Sequence, residues 1–268
     1  MTEEEKLLQK IQSLFFFGGS IAGVFQNIFL FNLGNFRTIV IYDCLALSIL
    51  FVMYLVSGKL LQRFSSRTLM RAGLFTFVIL NTCFFLLREQ AIDYIVPLGF
   101  LAGLGHGLFW PGNNLSQYLL TTAHTRSRYF GRLNFWLNIA LASGPILGGL
   151  IIRLFSLVSE PIYGYMTLFL LVAVIDFYIL LLAFRLPRHV GISFSFVDIL
   201  QHKRSISWKI VLVQQFIFGL WDVAFAAFSG VLIFLIVKQE LYVGGVKTVS
   251  ALIFAVGSIV AGKILQRY

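Results

Sequence analysis

Apolar residues fall along this chain in long runs, with most charged residues gathered between them. Eight runs stand out, at roughly 13–33, 38–57, 72–88, 94–118, 133–154, 161–184, 210–237 and 245–262. A helix of about 20 residues crosses the ~30 Å of hydrocarbon in a bilayer, and the runs cluster around that length. Open strands cannot satisfy their backbone groups in lipid, so the pattern predicts eight transmembrane helices. Glycines inside the runs do not oppose this, because glycine is common in membrane helices and lets neighbours approach closely.

Composition narrows the class further. Hydrophobic residues make up 59% of the 268 positions and charged residues only 12%, too little polar surface for an ordinary soluble domain. The expected fold is an all-α polytopic membrane protein. The N-terminal "MTEEEKLLQKIQSLFFFGGS" is acidic where a signal peptide would be basic, so the first run is expected to stay as a span. The net charge of +10 does not call for nucleic acid, because the basic residues sit between the apolar runs. With the N-terminus in the cytoplasm, only Arg37, Arg88, Arg153, Lys238 and Lys247 of the 21 lysines and arginines fall outside, leaving 16 inside. That asymmetry predicts a multi-pass protein of the cell membrane in this orientation. Cys44 and Cys83 both lie inside runs, which offers no disulfide framework and no metal site.

The longest predicted inner loop spans about 185–209. Its "SFSFVDILQHKRS" mixes Phe194, Phe196, Ile199 and Leu200 with His202, Lys203 and Arg204, a pattern for either a short surface helix or a plain linker. It divides the chain into an expected six-helix bundle at 1–185, an inter-bundle loop at 186–209 and a partial second bundle at 210–268.

A repeat supports that division. "SGKLLQRF" at 57–64 returns as "AGKILQRY" at 261–268, with five of eight positions identical and 204 residues between the copies. At the same offset Ile49, Val52 and Val56 meet Ile253, Val256 and Val260. Two related halves entering the membrane in the same sense are implied, an arrangement that places a substrate site near the midplane between them.

The loop "GKLLQRFSSR" resembles the signature of the major facilitator superfamily between its second and third helices, G-x-L-a-D-R-x-G-R-R. Gly58, Leu60, Arg63 and Arg67 match, while Gln62 stands at the family's Asp and Ser65 at its Gly. Gly262, Gln266 and Arg267 carry the second copy. The run "ALASGPILGG" resembles the fifth-helix motif of the family's antiporting exporters through Gly144, Pro145, Gly148 and Gly149, with Ala140 in place of the first glycine. A plain glycine packing face is the alternative for that run. The resemblance implies twelve helices in two bundles, of which this chain would carry the first six plus the seventh and eighth. By that measure the sequence is expected to be cut short, with the missing C-terminal helices as a partner.

The family's first, fourth, seventh and tenth helices line a central cavity. Ionised groups are costly at that depth and tend to face water or a partner, so polar residues there are candidates for a substrate or proton pathway. They are Gln26 and Asn27 in the first run, His106, Asn113 and Asn114 in the fourth, and Trp221 and Asp222 in the seventh. Asp222 could carry protons or substrate, with Trp221 offering a stacking face. His106 titrates near physiological pH when unperturbed, yet a packed histidine among glycines is the plainer reading. Gly99 stands where the family's fourth helix often carries an Arg. Asp43 is expected near the outer end of its span, and Asp176 in a supporting role on the sixth.

No phosphate-cradling loop, nucleophile elbow or ligand cluster is present in the sequence, so neither an enzyme nor a cofactor is expected. The leading expectation is a secondary transporter of a small organic solute, exporting it in exchange for protons. Uptake of a sugar-like metabolite is the alternative, suggested by the uncharged amides. A transport-incompetent fragment that needs the missing helices is the alternative of another class.

Overall fold

In a computed structural model, residues 2–188 and 206–265 are described, with side chains throughout except at 207, 220–224, 226–227 and 257–265. The described chain is a succession of eight α-helices: α1 (Glu3–Leu33), α2 (Phe36–Arg63), α3 (Ser66–Leu87), α4 (Ile95–Leu120), α5 (Ala123–Val158), α6 (Pro161–Ala183), α7 (Ile206–Val237) and α8 (Glu240–Leu265). A 3₁₀ turn, Arg88–Ile92, joins α3 to α4. The expected surface helix at "SFSFVDILQHKRS" falls outside the described residues.

The helices begin where their capping chemistry is strongest. Thr2 and Glu5 cap α1 reciprocally, Asn35 accepts from Arg37 N at 2.8 Å ahead of α2, and Thr122 with Thr125 opens α5. Pro161 occupies the first turn of α6, where its missing N–H costs nothing. Several helices outrun the apolar segments that announced them. α1 starts at Glu3 rather than 13, α5 at Ala123 rather than 133, and α8 at Glu240 rather than 245. Hydropathy marks only the apolar section, while the capped backbone continues through polar turns.

α1 packs on α5 and α6, α3 on α4 and α6, and α2 chiefly on α4. α7 lies against α1, α8 lies against α5, and the two touch each other. Close approach depends on glycine, because packing rather than hydrophobic expulsion joins helices in lipid. On α4, Gly99, Gly103 and Gly107 recur every four residues and press on α2, where a Cβ at Gly103 would lie 2.6 Å from that of Ile49. The other side of α4 meets α3: a Cβ at Gly73 would lie 2.6 Å from Phe109 N and 2.7 Å from Gly105 O. Aromatic rings fill the bundle, with Phe84 stacked on Phe169 at 4.9 Å and Phe29 edge-on to Phe169 at 5.3 Å. The outward face of α2, through Phe51, Val52, Leu55 and Val56, is apolar and exposed, as a lipid-facing surface must be. Among the described residues, six helices, α1 to α6, are long and apolar enough to cross a membrane.

Candidate functional site

The signature loop becomes a tight corner between α2 and α3. Gly58 and Leu60 lie in the last turns of α2, and Gln62 and Arg63 are exposed at its end. Arg67, in the first turn of α3, donates through Nη1 to Leu186 O at 2.7 Å and Phe184 O at 3.2 Å. The guanidinium of Arg71 lies 3.3 Å above the Phe184 ring. The two arginines therefore hold the turn that follows α6, Arg67 through its carbonyls and Arg71 against its ring. Ser65, which departs from the family's glycine, is the N-cap of α3: its Oγ accepts from Thr68 N at 3.2 Å. Ser65→Ala is expected to cost about 1 kcal/mol of stability, read as a lowered midpoint in thermal unfolding of the purified protein. An unchanged midpoint would show that the cap contributes nothing. Of the second copy, Gly262 lies in α8, and Gln266 and Arg267 fall outside the described residues.

The fifth-helix motif faces two ways. A Cβ at Gly144 would lie 2.9 Å from Ile21 N, and one at Gly148 2.6 Å from Cε2 of Phe25, so both belong to the α1 contact. Gly149 faces α8, where a Cβ would stand 2.7 Å from Glu240 O and 2.9 Å from Leu241 Cα. Pro145 meets Gly244 of α8, whose own Cβ would lie 3.0 Å from the proline carbonyl carbon. Just before the proline, Ala140 O accepts from Ser20 Oγ of α1 at 2.8 Å and Ala142 O accepts from Thr248 Oγ1 of α8 at 2.6 Å. One short segment of α5 thus joins the first bundle to the α7–α8 pair.

The polar candidates separate into distinct environments. Gln26 and Asn27 on α1 lie beside the adjacent Tyr42 and Asp43 of α2, and one Asp43 carboxylate oxygen is buried without a partner among the described residues. His106 sits edge-on to Phe77 at 4.7 Å and to Phe15 at 6.4 Å, and its Nδ1 is buried without a partner among the described residues. Trp110, one turn on, packs against Phe15, Phe16 and Phe109.

Asn113 and Asn114 diverge. Asn114 is exposed and donates to Tyr54 OH at 3.3 Å. Asn113 is fully buried, and its Oδ1 accepts from Gln12 Nε2 at 2.6 Å. Gln12 Oε1 in turn accepts from Tyr129 OH at 2.8 Å. Gln9 donates to Tyr129 O at 3.4 Å, and Thr125 donates to Glu5 at 2.9 Å. This network joins α1, α4 and α5, and sequence reasoning missed Gln9, Gln12 and Tyr129. Their only signal was a pair of amides three apart in a helix that otherwise turns apolar. Trp221 and Asp222 lie on the α7 backbone, and their side chains fall outside the described ones.

The described residues thus form an all-helical membrane protein with a glycine seam shared between two groups of helices. Residues 11–268 match the sequence profile of the Major Facilitator Superfamily, and the chain belongs to that family. It is similar to an uncharacterized protein in the sodM 3′ region of Geobacillus stearothermophilus, 29% identical over 168 residues that cover 62% of this chain and 77% of the relative. It is also similar to the uncharacterized protein YqgE of Bacillus subtilis strain 168, 22% identical over 263 residues that cover 97% of this chain and 60% of the relative. Among solved structures, a bacterial homologue of the human drug peptide transporters PepT1 and PepT2 matches with a TM-score of 0.59 at 19% identity, over 98% of this chain and 56% of that one. The peptide transporter POT in complex with sulfate matches with a TM-score of 0.55 at 12% identity, over 85% of this chain and 47% of that one. The chain therefore spans about half the length of these structural neighbours.

Proposed function

We propose that this protein carries a small organic solute across the cell membrane by alternating access, exporting it in exchange for protons, with its N-terminus in the cytoplasm. The observation that carries this reading is the seam of α5. Its Gly144 and Gly148 bear on α1 while Pro145 and Gly149 bear on α8, so backbone meets backbone on both sides. Such a seam lets one bundle rock against the other without withdrawing large side chains. The moving parts are the bundle at 1–185 and the second bundle that begins at 210, joined by the segment 186–209. Further helices of the second bundle would complete the cavity, in keeping with the greater length of the solved neighbours.

Proton coupling is assigned to Asp222 or His106, with Trp221, Gln26, Asn27, Asn113 and Asn114 along the solute path. The test uses everted membrane vesicles from cells expressing the complete gene, with an imposed pH gradient. The wild type should accumulate solute only when the gradient is present. Asp222→Asn should lose the gradient-driven component and retain exchange. Gradient-driven transport that survives both Asp222→Asn and His106→Gln would remove proton coupling through these residues.

A further inference from the structure

The charge count assigns Lys247 to the membrane edge, but the helix does not. α8 begins at Glu240, so Lys247 lies two turns inside it. The adjacent Thr248 donates to Ala142 O at 2.6 Å, and Ala142 sits near the middle of the 36-residue α5. On the α7 side, Ser229 is followed by Gly230, whose Cβ would lie 2.8 Å from Val24 Cγ1. Val24 is near the centre of the apolar run of α1. α1 and α5 therefore place Lys247 at mid-depth, where a cation is costly enough to mark a function.

The side chain does not reach back toward the headgroups. Its Nζ donates to Ser229 Oγ at 2.5 Å and lies 4.8 Å from the centroid of the Phe225 ring, so it points across to α7. An ammonium has three N–H donors, and among the described residues one hydroxyl and one ring are its partners. No carboxylate stands at ion-pair distance from it among those residues. On α1, a Cβ at Gly19 or Gly23 would meet nothing within 4 Å among the described residues.

We propose that Lys247 binds the carboxylate of the transported solute, with Ser229 holding the ammonium in place. A lysine is a compact point charge rather than a planar fork, which suits a monoanion. The neighbouring phenyl ring favours a small, largely apolar organic body, so the substrate class is the organic monocarboxylates. The inference rests on the transporter reading and deepens it.

The experiment measures thermal unfolding of the purified chain in detergent against sodium butyrate and sodium benzoate, and against butyramide and benzamide. A carboxylate should raise the midpoint, and its matched amide should not. Lys247→Gln should weaken the apparent affinity roughly ten- to a hundredfold, as expected for loss of a charge-assisted hydrogen bond. Lys247→Arg, which keeps the charge, should retain part of the response. The proposal is overturned if Lys247→Gln responds like the wild type, or if neither carboxylate binds. It is also overturned if Lys247→Gln fails to fold and Asp222→Asn restores it, which would make the lysine a structural partner of that carboxylate. If amides bind as well as carboxylates, the lysine assignment fails while the transporter reading stands. If vesicles from cells expressing the complete gene move no solute of any charge, the transporter reading itself fails.

Discussion

Alanine at position 148 is expected to lower the thermal stability of the purified protein, while the same change at position 131 raises it slightly. Both glycines lie inside α5, where alanine is the better helix former by about 1 kcal/mol. Propensity alone would therefore favour both substitutions. At Gly131 nothing among the described residues lies within 4 Å of the added carbon, and the propensity gain stands. At Gly148 the carbon would lie 2.5 Å from Ile21 O and 2.6 Å from Cε2 of Phe25. Phe25 is 1% exposed and cannot swing aside, and the carbonyl belongs to a continuous helix. Overpacking of this kind costs about 1–3 kcal/mol, here toward the upper end because one obstacle is backbone. With roughly 2–4 °C per kcal/mol for chains near this size, the midpoint should fall by several degrees. Equal responses at 131 and 148 would show that α1 and α5 do not meet as closely as described.

Much of this architecture was legible because lipid leaves the backbone so little choice. Once helices are the only open-ended solution, apolar runs locate the spans to within their polar ends. The glycines at 99, 103 and 107 could be read as one packing face from their spacing alone, but nothing in the spacing says that α2 is the neighbour. The same holds for the motif at 144–149. Its glycines announced close contact, and only the fold shows that the contact is divided between α1 and α8.

Polar residues were harder to read, for a physical reason. Hydropathy assigns depth by averaging neighbours, so Lys247 at the start of an apolar run was counted with the loop before it. The helix begins seven residues earlier, which carries the ammonium inward. Arg67 could be matched to a family pattern, but the carbonyls it meets lie in the turn after α6, more than a hundred positions away. Adjacent Asn113 and Asn114 looked alike in sequence, although neighbours on a helix point about 100° apart. One joins Gln12 and the other joins Tyr54.

The buried pair between α3 and α6 offers the sharpest test of how such polar contacts work in this bundle. Asn81 Nδ2 donates to Asp176 Oδ2 at 3.0 Å and to Phe77 O at 3.1 Å. The two side chains are 7% and 3% exposed. Interhelical hydrogen bonds in membrane proteins average only about 0.6 kcal/mol, so the bond itself would scarcely register. Stranding a buried acceptor is different, at roughly 1–3 kcal/mol and more for a charged group. Asn81→Leu leaves the carboxyl without its amide and is expected to lower the unfolding midpoint by several degrees. Asp176→Leu, which leaves the Asn81 amide its bond to Phe77 O, should cost less. In the double variant Asn81→Leu/Asp176→Leu both partners become apolar, and stability should recover toward the wild type. The signature is a coupling energy of about 0.5–3 kcal/mol in the double-mutant cycle, opposite in sign to the cost of Asn81→Leu. Simple addition of the two single effects would mean that Asp176 is satisfied elsewhere, and that α3 and α6 are held by packing and by the arginines at their shared end.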